Sequence, residues 1–243
     1  DILLKRVGQT IFADVGFSLQ QQSGQDARIQ ASAQLANRDQ MLNATVRLSQ
    51  LNPQTIAHLL PESWQSAALS VPFTGEVGLQ LNRSGQLTQA KYKLDGENGT
   101  LTAAEHFPKP LPITHIHIEG EGKPHLQQWK ISQAQVDFGG ARLSVNAQIS
   151  PTEANAEMPE PGKNIALRAV AEGMPVNDLA FYWPLRLNQT ARGWVTSNIR
   201  EGVVPHAEAR VTLENWQPGK AVPEDAVDVK IQVQGAEVAY LAG

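Results

Sequence analysis

Apolar and polar residues alternate with a period of two along most of the chain, the pattern that puts one set of side chains on each face of a β-strand. Ile29, Ala31, Ala33 and Leu35 alternate with Gln30, Ser32 and Gln34; Leu42, Ala44, Val46 and Leu48 alternate with Asn43, Thr45 and Arg47. The same rule fits Val77 to Leu81, Tyr92 to Leu94, Ile116 to Ile118 and Ala134 to Phe138. It fits again over Leu143 to Ile149, Ala207 to Leu213 and Val227 to Val233. Strict alternation predicts antiparallel strands with one face in water, because parallel sheets are covered on both sides and read as continuous apolar runs. Turn signals at Asn82-Arg83-Ser84-Gly85, Asp95-Gly96-Glu97-Asn98-Gly99 and Gly139-Gly140 predict hairpin connections.

Helix is predicted in few places. Asn52-Pro53 reads as an N-cap and first-turn pair for a segment through Leu60. Asn188 caps a second segment through Trp194 and Ile199 to a stop at Gly202, with Pro61 and Pro184 as breakers. The run from Pro151 to Lys163 is acidic, proline-rich and without periodicity, which predicts a linker or an exposed loop. The organisation expected from this is a first β unit over 1–150, a linker or loop over 151–164 and a second β unit over 165–243. A faint repeat spans the boundary. A strand ending at Leu48 leads through Asn52-Pro53, an apolar helix, Leu60-Pro61 and Trp64 to the strand at Val77. A strand through Val170 leads through Met174-Pro175, an apolar helix, Trp183-Pro184 and Trp194 to the strand at Ala207.

Composition narrows the function classes. A net charge of -4 with scattered Lys and Arg offers no basic field to a phosphate backbone, and no nucleic acid partner is expected. The absence of cysteine removes disulfides, thiolate nucleophiles and Cys-type zinc sites. No apolar run approaches the roughly 20 residues that cross a bilayer. The first residue is Asp1 rather than Met and the last strand signal is cut short, so the chain reads as an internal segment of a longer protein whose membrane anchor lies elsewhere.

Catalytic chemistry has no motif behind it: there is no Gly-x-Ser-x-Gly elbow and no phosphate loop, and Gly120-Glu121-Gly122 is too short for one. The chain reads as non-enzymatic, with no cofactor. His115, His117 and Glu119 share one strand face, and His106 or His125 could complete a metal site, but without a third ligand at diagnostic spacing they read as a solvated face. Phe181, Tyr182, Trp183 and Trp194 read as aromatics wedging a helix against a sheet, with a lipid-headgroup contact as the alternative.

One stretch is more specific. Phe181-Tyr182-Trp183-Pro184-Leu185, then Ala191-Arg192-Gly193-Trp194-Val195 with Asn198, Gly202 and a strand running from Val204, resembles the YhdP-like members of the AsmA superfamily. Leu59-Leu60-Pro61-Glu62-Ser63-Trp64, Phe73 to Leu79, Gly85-Gln86-Leu87 and Val136 to Leu143 are similar to AsmA-like repeats. The resemblance implies a mainly β fold, an extended, curved antiparallel β-sheet groove of tandem AsmA-like units with a few short helices. It further implies a periplasmic location, with the parent protein anchored in the bacterial inner membrane by a transmembrane helix outside this segment. The implied activity is conduction of phospholipid between inner and outer membranes, with acyl chains as ligand and outer-membrane or periplasmic proteins as candidate partners. Groove-lining candidates are then Val77, Leu79, Leu81, Ile116, Ile118, Val136, Phe138, Leu143, Val145, Val211, Leu213, Val229 and Ile231. The same alternation suits a sheet closed around its own core in an envelope scaffold, so both readings stand at the level of sequence.

Overall fold

The structure, a computed structural model, describes residues 2–21, 24, 26–36, 41–59, 68–152, 162–185, 189–217 and 220–239. The strands β1 (Ile2–Val7), β2 (Thr10–Gln20), β3 (Asp26–Ala36) and β4 (Leu42–Leu51) form a meander. A 3-10 helix, Pro53–Leu59, leads to β5 (Ala68–Ser70) and β6 (Phe73–Leu81). There follow β7 (Leu87–Thr102), β8 (Leu111–Lys123), β9 (Gln128–Asp137), β10 (Arg142–Pro151) and β11 (Lys163–Glu172). After β12 (Met174–Pro175) come short helices at Val176–Asp178 and Leu179–Tyr182, and a longer one at Gln189–Asn198. The chain ends with β13 (Ile199–Arg200), β14 (Val203–Trp216), β15 (Val227–Gln234) and β16 (Glu237–Val238).

Fourteen of these strands make one sheet, in the order β1-β2-β3-β4-β6-β7-β8-β9-β10-β11-β14-β15, with β12 continuing the register of β11 along β14 and β5 on β7. All of its pairings are antiparallel. The sheet does not close into a barrel: β1 occupies one edge and β15 the other. The segment 151–164 joins two neighbouring strands, with Pro151 opposite Lys163 and Ser150 opposite Asn164. The sheet therefore runs unbroken from β10 to β11; residues 153–161 lie outside the described residues.

The two halves of the sequence repeat fall in equivalent places. Each long connection, from β4 to β6 and from β11 to β14, leaves and rejoins neighbouring strands at the same end of the sheet and carries the helices. Asn52 caps the first by accepting the Gln54 amide at 3.1 Å, although the helix it starts is 3-10. Leu60, Pro61, Trp64 and Asn188 lie outside the described residues.

The predicted turn at Asp95–Gly99 is overturned. Those residues lie inside β7, and the glycines serve a close approach instead. A Cβ on Gly96 would meet Val71 Cγ1 at 2.6 Å, and one on Gly99 would meet the Ser70 carbonyl at 2.2 Å. Asn98 is left-handed at φ 54 and marks where the buried positions of β8 change phase, from Leu111 and Ile113 to Ile116, Gly120 and Gly122. Gly96→Ala is expected to destabilise the fold by about 1–3 kcal/mol, read from the midpoint of urea unfolding.

The packed core is small and lies at one end of the sheet. Val71, Phe73, Ile113 and Ile116 are buried together, with Leu94, Leu101, Val136 and Phe138 against them. A second group, Val176, Leu179 and Val204, seats the helical connection. The chain exposes 15886 Å² of surface, against about 10,600 Å² for a compact protein of 26.4 kDa. A sheet covered over only part of one face contributes to the excess.

Candidate functional site: an apolar face across twelve strand positions

Directly opposed residues of an antiparallel pair share a face, so register traces each face from edge to edge. One row runs Ile2, Val15, Ala31, Val46, Val77, Tyr92, Gly120, Ile131, Ala147, Leu167, Val211, Val227. It crosses twelve strand positions without a charged side chain. At roughly 4.8 Å per strand it is about 50 Å long. Along it only Gly120 is buried, because the Tyr92 ring lies over it: a Cβ there would meet the Tyr92 hydroxyl at 2.5 Å. Flanking rows are as apolar, among them Ala13, Ala33, Ala44, Leu79 and Ala90 on one side and Phe17, Ile29, Leu48, Gly75 and Leu94 on the other.

The structure brings the sequence candidates together here. Val77, Leu79, Leu81, Ile118, Val136, Leu143, Val145, Val211, Val229 and Ile231 lie on this one face, part-buried or exposed. Phe138 belongs to it but packs into the core and meets the Tyr182 ring at 5.2 Å between centroids. Ile116 and Leu213 are sealed, at 5% and 7% exposure, and contribute to packing more than to an open surface. Sequence reasoning missed the contribution of β1 and β2, where Ile11 and Phe17 extend the face and are exposed at 39% and 48%.

Partial exposure along the row has a simple cause. Neighbours within one sheet layer shield a side chain laterally, and only a second layer shields it from above. Among the described residues the main covering elements lie at one end. There Val71, just after β5, and the helical connection cover the strand ends, with Lys109 Nζ 3.3 Å over the Phe181 ring and the Leu185 amide donating to the His106 carbonyl. Arg192 Nη2 donates to the Ala180 carbonyl at 2.7 Å, so this part of the family-like stretch serves packing and capping. At the opposite end Trp129 is 42% exposed over Gly122, while Leu213 and Ala90 are buried.

The other face is polar and cross-linked by ion pairs between neighbouring strands: Arg47 with Glu76, Lys93 with Glu119, and Arg142 with Asp137. Glu208 accepts from both Arg168 at 2.6 Å and Arg210 at 2.7 Å, and these hydrogen bonds lower its pKa from 4.5 to about 2. A carboxylate depressed in the folded state stabilises above its unfolded pKa and loses that contribution as pH falls through the folded value. Glu208→Gln is therefore expected to flatten the acid loss of stability between pH 4.5 and about 2, measured by urea unfolding at each pH. His117 Nδ1 lies 2.7 Å from Asp95, while His115 sits 4.0 Å from both Asp95 and Asp137. Among the described residues no three His, Asp or Glu side chains converge on a metal position. Zinc is expected to leave the melting temperature unchanged; saturable stabilisation lost in His117→Ala would contradict this.

Among the described residues no helix is long and apolar enough to cross a membrane. No family model, curated protein or solved structure matches the chain.

Proposed function

We propose that this chain is a lipid-conducting segment of a bacterial envelope protein, non-catalytic, whose open apolar face carries phospholipid acyl chains between inner and outer membranes. The AsmA-like resemblance supplies the periplasmic setting. The observation that carries the reading is the uncharged row from Ile2 to Val227, uncovered along most of its length. Soluble proteins rarely leave an apolar patch beyond a few hundred Å² without a ligand or partner for it. Each acyl methylene moved from water onto such a face gains roughly 0.8 kcal/mol, and the attraction is non-directional. A chain can thus be held against the row and slide along it without passing through a strongly bonded site. A charged headgroup finds no partner on the row and stays at the rim.

The test is lipid uptake. The purified chain, incubated with vesicles of mixed zwitterionic and anionic phospholipid and re-isolated, is expected to carry phospholipid in native mass spectrometry. A folded chain that emerges lipid-free sinks the reading and returns the face to a scaffold role, covered by protein.

A further inference from the structure

The apolar row has one polar side-chain atom, the Tyr92 hydroxyl, and the ground around it differs from the rest of the face. Gly120 and Gly122 are successive apolar-face positions of β8, and neither offers a side chain. Glycine inside a strand often marks a close approach, and here two rings make it. Tyr92, opposite Gly120 on β7, lies over that glycine. Trp129, opposite Gly122 on β9, lies over the other, with Cζ3 2.5 Å from where a Cβ would stand. Covering a glycine needs only a ring, which Phe would supply. The hydroxyl is surplus to that packing. It makes no hydrogen bond among the described residues, and partial burial raises the Tyr92 pKa, so it stays a protonated donor. The Trp129 indole N–H is equally unpartnered among them, on a side chain 42% exposed.

We propose that Tyr92 and Trp129 form a seat for the glycerol-ester part of a phospholipid, with Tyr92 Oη donating to an ester carbonyl. This rests on the lipid-conducting reading and adds a chemical preference to it. Acyl methylenes hold no acceptor, so the first group of a phospholipid that a hydroxyl on this face can bond is an ester carbonyl. Tyr and Trp suit that region, having an apolar body and a polar tip, and they concentrate at the corresponding depth of membranes. What lies outward fits as well. From Gly120 it is three residues, about 10 Å, to Lys123 at the end of β8. A pocket at that rim is lined by Gly122, Lys123, Trp129 and Lys130, and neither lysine has an ion pair among the described residues. The one acid lining it, Glu121, accepts from Gln89 at 3.4 Å. Donor, ring and cation thus succeed one another outward along β8 and β9, in the order ester, glycerol, phosphate. A single neutral hydrogen bond registers a lipid at this point without trapping it.

The test is a competition between two lipids. The purified chain is incubated with vesicles holding equal amounts of a diester phosphatidylcholine and its diether analogue of the same chain length, then re-isolated and read by native mass spectrometry. The ether form lacks the carbonyls and keeps the chains and the headgroup. The expected result is a preference of about three- to ten-fold for the diester, the range one neutral hydrogen bond supplies. In Tyr92→Phe, which keeps a ring over Gly120, diester uptake should fall to the diether level. Lys123→Glu should lower both forms together and leave their ratio unchanged. Equal uptake of the two forms by the parent chain, a preference that survives Tyr92→Phe, or a ratio that moves with Lys123 instead would overturn the proposal and leave the lipid reading standing. Uptake of neither form by a folded chain overturns both.

Discussion

Val77→Arg is expected to cut phospholipid uptake at least ten-fold while leaving the fold intact. Val77 stands in the middle of the apolar row, opposite Val46 on one side and Tyr92 on the other, and it is only half-buried. An acyl chain crossing that point would have to lie against a guanidinium, and desolvating a charge without a partner costs several kcal/mol, well above the roughly 1.4 kcal/mol that ten-fold requires. Because no second layer covers Val77, the long side chain has room and the melting temperature should barely move. Gln148→Arg, on the polar face, should change neither quantity. Native mass spectrometry for bound lipid, paired with thermal unfolding, separates the outcomes. Equal lipid loads in Val77→Arg and the parent chain would remove the row from the mechanism.

The second expectation is the reverse pattern at the covered end. Phe73→Ala should cost about 3–5 kcal/mol, since the ring is 6% exposed between Val71, Ile113 and Ile116 and its removal leaves a cavity in the larger packed cluster. For a fold whose other apolar residues are mostly half-exposed, that is a large share of total stability. Val145→Ala, on the open part of the face, leaves no enclosed cavity and should cost well under half as much. Urea unfolding of both variants checks the contrast. Similar costs at the two sites would mean that Val145 is covered after all.

Much of this division was legible in the chain itself, for reasons that particular residues make plain. Period-two alternation assigns residues such as Val46 and Arg47 to opposite faces with no knowledge of partners, because the pleat alone decides it. The helices at Pro53–Leu59 and Gln189–Asn198 followed from caps and prolines. What alternation cannot give is cover. Ile116 and Ile118 look alike in sequence, yet Ile116 is sealed because Val71, in the turn between β5 and β6, packs with it. The same long-range contact turned Asp95–Gly99 from an apparent turn into a strand interior, its glycines making room for Val71 and Ser70.

The most direct test of an open lipid face is site-resolved photo-crosslinking in the presence of phospholipid vesicles. Probes at Val46, Val77, Val145 and Val211 sample the apolar face across the sheet, and probes at Gln30 and Gln148 sample the polar one. Capture of phospholipid at all four apolar positions and at neither polar one is the predicted result. Equal capture on both faces, or none at any position in a folded chain, would contradict it.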